Sequence, residues 1–225
     1  MYFGTASNLS TYEKNMVAHH RKNWFSEVKK ASEFRIYKGD KLDKKISHHP
    51  KFLSIITYIS EAFEIVSGNR KGDPPLLGEV SRYEQEGKLC VYLSILTYTL
   101  LMHHGITNDR EMKYVQGYYH HKNEATNWIA GLLGNEHVGS HAWITIGKAV
   151  IDISIKQEEN FFQFDGYPAI LGEVPPRMLL KGFSEPKKTV NKYVEHFAKQ
   201  RKLSIDEWIA YHNQQMENLL KKQTS

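Results

Sequence analysis

Cys90 is the only cysteine in the 225-residue chain. It heads a run, Gly87-Lys88-Leu89-Cys90 and then Val91, Leu93, Ile95, Leu96, Leu100 and Leu101, that reads as a helix apolar nearly all around. A thiol at a helix start meets the unpaired amides of the first turn, whose partial positive charge favours thiolate over thiol. Later, Ser140-His141-Ala142-Trp143-Ile144 reads as a strand, and after Gly147-Lys148 a return strand carries Asp152. Thiol, imidazole and carboxylate are the parts of a nucleophilic acyl-transfer site. The histidine takes and returns a proton, the carboxylate orients it, and the thiolate attacks a carbonyl.

The hairpin supplies the geometry. Glycine at the first central position suits a two-residue turn, and that turn opposes Ile146 to Ala149, Ile144 to Ile151, Trp143 to Asp152 and His141 to Ser154. Side chains alternate along each strand, so one face carries Ala142, Ile144, Ile146, Ala149, Ile151 and Ile153, all apolar. The other carries His141, Trp143, Thr145, Val150, Asp152 and Ser154. His141 and Asp152 become diagonal neighbours about 7–8 Å apart at the backbone, within side-chain reach. The amide of Cys90 with a side-chain donor would form an oxyanion site, for which Gln85 is the candidate. Trp143 and Tyr118 are candidate cleft-lining residues. The ordinary readings are a buried structural thiol, a polar strand histidine, a turn-proximal acid and a loop glutamine.

The elements that must position these groups follow from periodicity. Residues from about Leu9 to Tyr37 read as helix, and so do Phe52 to Val66, with Ile55, Ile56, Ile59, Ala62, Phe63 and Val66 on one face. A loop, Arg70 to Gly78, leads to the helix of Cys90, which Gly105 ends. Tyr114 to Tyr119 reads as a strand, Ala125 to Leu133 as a short helix, and Gly134 to Gly139 as a flexible approach to His141. Strands His141–Ile146 and Ala149–Ser154 follow, then an irregular covering loop from Phe161 to Pro176. The final helical region starts near Pro186, and Ser204-Ile205-Asp206-Glu207 matches a capping box. Trp208, Ile209, His212, Gln215, Met216 and Leu219 follow a helix-like period and should dock on the core. The expected class is α+β, organised as a helical N-terminal extension over 1–80, a catalytic core over 81–185 and a C-terminal helical region over 186–225.

Composition sets the limits. The chain is long enough for a full core, with 40% apolar and 24% charged residues. The run from Leu89 to Met102 is interrupted by Ser94, Thr97 and Thr99 and falls short of the ~18 residues of a membrane span. Met1 to Ser10 lacks the basic-then-apolar order of a signal peptide. With one cysteine and hence no internal disulfide, a reducing cytoplasm is the expected compartment. The net charge of +5 is uneven. Residues 1–50 hold ten Lys/Arg against five Asp/Glu, residues 186–225 eight against four, and residues 51–185 twelve against sixteen. Basic ends around an acidic middle read first as solvated helical faces and second as a surface for an acidic protein or a nucleic acid. Four histidine pairs invite a metal reading, but adjacent side chains point apart and no HExxH motif or cysteine cluster accompanies them. Neither metal nor cofactor is expected.

The chain resembles the transglutaminase-like superfamily of papain-like cysteine enzymes. The resemblance rests on Gly87-Lys88-Leu89-Cys90 with its helix to His104-Gly105, on Val115-Gln116-Gly117-Tyr118, and on His141-Ala142-Trp143-Ile144 with Gly147-Lys148 and Val150-Ile151-Asp152. It covers about residues 85–155, and Leu89 stands where a small residue is more usual. It implies a papain/transglutaminase-like core, with Cys90 as nucleophile on a central helix packed against an antiparallel sheet that holds His141 as base and acid and Asp152 as its orienting partner. The expected function is a thiol enzyme acting on a peptide, protein or small amide substrate through an acyl-enzyme, as a protease, amidase or acyltransferase. The alternative is a non-catalytic binding module on the same fold, its basic ends engaging an acidic protein or nucleic acid.

Overall fold

The computed structural model describes residues 35–66, 89–122, 129–130, 138–156, 169–176 and 178–224. Among them the helices are α1 (Lys44–Ser47), α2 (Pro50–Val66), α3 (Leu89–His103), α4 (Lys187–Gln200) and α5 (Ile205–Thr224). The strands are β1 (Arg35–Tyr37), β2 (Met112–Lys122), β3 (Ile129–Ala130), β4 (Val138–Ile146), β5 (Ala149–Asp152), β6 (Ile170–Gly172) and β7 (Met178–Ser184). They form one sheet in the order β1-β7-β2-β4-β5-β6, with β3 also pairing β2 and every pairing antiparallel. The sheet curls until its edges meet: Gly39, just after β1, bridges Glu173, just after β6, and the Val174 amide donates to the Lys38 carbonyl at 2.9 Å. The molecule is of mixed α/β class.

The helix of Cys90 is central. Twelve of the fifteen residues of α3 are buried, so its polar side chains must be satisfied within the fold. Thr97 Oγ1 donates to the Leu93 carbonyl at 2.7 Å and Thr99 Oγ1 to that of Ile95 at 2.8 Å. Ser94 Oγ reaches across to the Ala142 carbonyl of β4 at 3.0 Å. The helix ends in a Schellman pattern, Gly105 N–H to Met102 O and Ile106 N–H to Leu101 O.

Two apolar clusters divide the hairpin's faces. The larger lies between sheet and helices and takes Ala142, Ile144, Ile146, Ile151 and Ile153 together with residues of α2, α3, α4 and α5. The smaller lies inside the curled sheet and holds Val115, Trp143, Val150, Ile155, Ile170, Met178 and Leu180. Ile144 opposes Ile151 and Ile146 opposes Ala149, the register expected from the Gly147-Lys148 turn. Gly147 has φ +59° and Lys148 has no positive φ, the pattern of a type II′ turn. Inside the helical layer, Phe52, Ile55, Ile59 and Phe63 of α2 and Val190, Val194 and Phe197 of α4 are buried, as are Trp208 and Met216 of α5. The capping box closes at both ends: Ser204 N–H donates to Glu207 Oε2 at 2.7 Å and Glu207 N–H to Ser204 Oγ at 3.2 Å.

Several expectations are corrected. Arg35–Tyr37 is a strand on β7, not the end of a helix; the rest of that expected helix lies outside the described residues. Ile129–Ala130 pairs with β2, not helix, and β4 begins at Val138, within the segment expected to be flexible. Ile170–Gly172 is a strand on β5, not covering loop. Met178–Ser184, unassigned by sequence, is a seven-residue strand. Ladder partners decide each case, because strand pairing is non-local and outweighs weak local preference.

Candidate functional site

His141 and Asp152 meet inside the sheet. His141 Nε2 lies 2.6 Å from Asp152 Oδ2, and both side chains are fully enclosed. Strand alternation puts them on one face, and the return strand brings the carboxylate alongside. The ladder of β5 stops at Asp152, and the chain then turns through the 3-10 segment Ser154–Lys156. That turn lets Ser154 Oγ donate to Asp152 Oδ1 at 2.8 Å, which fixes the carboxylate plane and leaves Oδ2 for the imidazole. Trp143 stacks on His141 at 6.1 Å between centroids and 25° between planes, and Tyr37 meets Trp143 edge-on at 5.5 Å.

Glycines make room for that stack. Gly117 of β2 lies opposite both His141 and Gly182 of β7, so one row across three strands carries a single side chain. A Cβ on Gly182 would stand 2.5 Å from the Gln116 carbonyl oxygen and 2.9 Å from Trp143 Cη2, and one on Gly117 would stand 2.2 Å from the Lys181 carbonyl oxygen. Trp143 fills the space so created and is 0% exposed. It backs the imidazole from inside the sheet, and the cleft-lining place expected for it is not the one it takes.

Cys90, 5% exposed, belongs to the larger cluster on the helix side and lies close enough to His141 to act on its imidazole. Burial alone would drive the imidazole to its neutral form. The charge of Asp152, its hydrogen bond and the contact with Cys90 together outweigh burial and raise the His141 pKa well above the ordinary histidine value. Asp152 engages Nε2, which leaves Nδ1 as the ring nitrogen available to a thiol. Of the three residues singled out by sequence, His141 and Asp152 are directly bonded, and Cys90 lies close enough to act on the imidazole. Gln85 lies outside the described residues. Tyr118 sits in β2 opposite Ser140 and Lys181, and its side chain is likewise outside the description.

A second polar group adjoins the thiol, and sequence reading missed it. Gln116 Nε2 donates to Tyr114 Oη at 2.9 Å and to Tyr193 Oη at 3.0 Å. Tyr114 and Gln116 are two apart on β2 and opposite Ile144 and Ala142, hence on the helix-side face; Tyr193 comes from α4. Burial raises the pKa of both phenols; the negative charge of Cys90 and of Glu185 acts in the same direction, and the Gln116 hydrogen bond opposes it. Period-two spacing was a usable signal for Tyr114 with Gln116. Tyr193, 77 residues beyond Gln116, offered none.

Among the described residues no group of three or more His, Cys, Asp or Glu is placed to hold a metal ion, and no helix is long and apolar enough to cross a membrane. Compared with protein-family models, curated proteins and solved structures, the chain matches none.

Proposed function

We propose that this chain is a thiol enzyme that acts on an amide or acyl substrate through a covalent acyl-enzyme on Cys90. The observation that carries the reading is the buried contact of Asp152 Oδ2 with His141 Nε2 at 2.6 Å, with Cys90 close enough to act on the same imidazole. Further support comes from the place of Cys90 on the buried helix α3, described from Leu89, and from the resemblance of residues 85–155 to the transglutaminase-like core.

In this mechanism a raised imidazole pKa favours the thiolate–imidazolium pair. The Cys90 sulfur attacks the carbonyl carbon, and the π electrons move onto oxygen. The C=O bond re-forms as the C–N or C–O bond breaks, and His141 delivers its proton to the leaving group. His141 then takes a proton from water or an amine, which displaces the acyl group and restores the thiol. Asp152 holds the ring throughout. Serial trapping tests this. Incubation with p-nitrophenyl acetate, quenching in acid and peptide mass mapping should place one acetyl group on Cys90, and His141→Ala should abolish the adduct. An unmodified Cys90 in folded protein would refute the enzyme reading.

A further inference from the structure

Resting on the reading of Cys90 as nucleophile, we infer that the hydroxyls of Tyr114 and Tyr193, held by Gln116, are the side-chain donors that receive the oxyanion of the tetrahedral adduct. Each phenolic oxygen accepts a hydrogen bond from Gln116 Nε2, at 2.9 and 3.0 Å. A hydroxyl that accepts in this way turns its own proton elsewhere. Among the described residues neither Tyr114 nor Tyr193 has a protein acceptor for that proton. Tyr114 is fully buried, and a buried donor without an acceptor costs stability unless something else occupies the site.

The place fits the chemistry. Gln116 lies opposite Ala142, one position along β4 from His141. Tyr114 and Cys90 belong to the same buried cluster, and Tyr193 packs against it. The rings of the two tyrosines meet edge to face at 6.0 Å, and both hydroxyls feel the charge on Cys90. Burial keeps both phenols protonated at neutral pH, so they serve as donors. The paired hydroxyls come from β2 and α4, on the helix side of the sheet with Cys90. A carbonyl carbon bonded to Sγ would present its leaving group towards His141 and its oxygen towards the hydroxyls. Two preorganised donors on one oxygen are what such an intermediate requires. Gln116 is the positioning residue.

Two reactions of the same thiol separate this role from any effect on Cys90 itself. Acylation by p-nitrophenyl acetate forms the S–C bond while the carbonyl π pair becomes an oxyanion; the oxyanion then collapses and expels p-nitrophenolate. Alkylation by iodoacetamide forms its S–C bond at a saturated carbon and expels iodide, with no oxyanion. Tyr193→Phe, Tyr114→Phe and Gln116→Leu should each slow the acylation burst by roughly ten- to a hundredfold while changing alkylation far less. Tyr193 is only partly buried, so Tyr193→Phe carries the test if Tyr114→Phe fails to fold, and thermal melting of each variant monitors folding. Acylation as fast in Tyr193→Phe as in wild type overturns the inference and leaves the thiol enzyme standing. Equal slowing of both reactions also overturns it, because the tyrosines then act on the thiolate. No acylation of wild-type Cys90 removes the enzyme reading and this inference together.

Discussion

Asp152 and His141 act as one group, and pH dependence exposes the coupling. The folded pKa of His141 is raised well above the ordinary 6.5. The stabilisation it contributes is therefore complete below about pH 6.5 and is lost as pH rises through the folded value. Imidazole NMR should find His141 still protonated well above pH 6.5, and Asp152→Asn should lower its titration. The same change should keep the fold, since the amide is isosteric, and slow turnover by roughly 10- to 10⁴-fold. In a His141→Ala background it should add little, as expected of residues that work as a unit. His212 shows the opposite sign. It accepts or donates to Tyr58 Oη at 2.8 Å and Tyr92 Oη at 3.2 Å, and burial, assisted by Arg201, pushes its pKa down to about 3. Its folded form is neutral, so stability is complete above pH 6.5 and falls by about 1.4 kcal/mol per pH unit from 6.5 towards 3. Urea titrations at several pH values should show a shallower acid slope in His212→Gln; equal slopes would contradict this. At this scale His141 and Asp152 were legible because a Gly turn fixes register and period two fixes faces. Tyr193 was not, since nothing local links a helix residue to a glutamine 77 residues away.

The elements explain why the pair can sit inside the sheet at all. The row Gly182-Gly117-His141 leaves space for the indole of Trp143, which shields the imidazole from water. Gly182→Ala should cost roughly 1–3 kcal/mol through overpacking and displace Trp143, seen as a lowered urea midpoint with altered tryptophan fluorescence. An unchanged midpoint would mean that β2 and β7 yield easily. At the start of α5, Ser204→Ala should cost about 1 kcal/mol, because it removes one half of the capping box. The long periodic helices α2, α3 and α5 could be read from sequence, as could the hairpin β4–β5. The edges could not. Arg35–Tyr37 and Ile170–Gly172 are three-residue strands whose identity depends on β7 and β5, and Met178–Ser184 reads locally as an ambiguous apolar run.

At the scale of the whole molecule, a curled sheet with a helical layer outside it leaves Cys90 in the core between the two. The larger core draws on residues from Phe52 to Met216, so the C-terminal helices belong to the fold that holds the thiol. Removing 204–225 deletes Trp208, His212 and Met216, all buried, and takes away a hydrogen-bond partner of Tyr58 and Tyr92. The truncated chain should bind a hydrophobic dye and melt at lower temperature; an unchanged melt would mark the helix as a dispensable tail. The central claim, an activated thiol in a Cys90–His141–Asp152 site, is tested most directly by the rate of iodoacetamide labelling of Cys90 in the native protein at neutral pH, compared across wild type, His141→Ala and Asp152→Asn. The account predicts labelling faster than that of a free cysteine in wild type, slowest in His141→Ala and intermediate in Asp152→Asn. A Cys90 that labels only after unfolding, or equally in all three proteins, would contradict it.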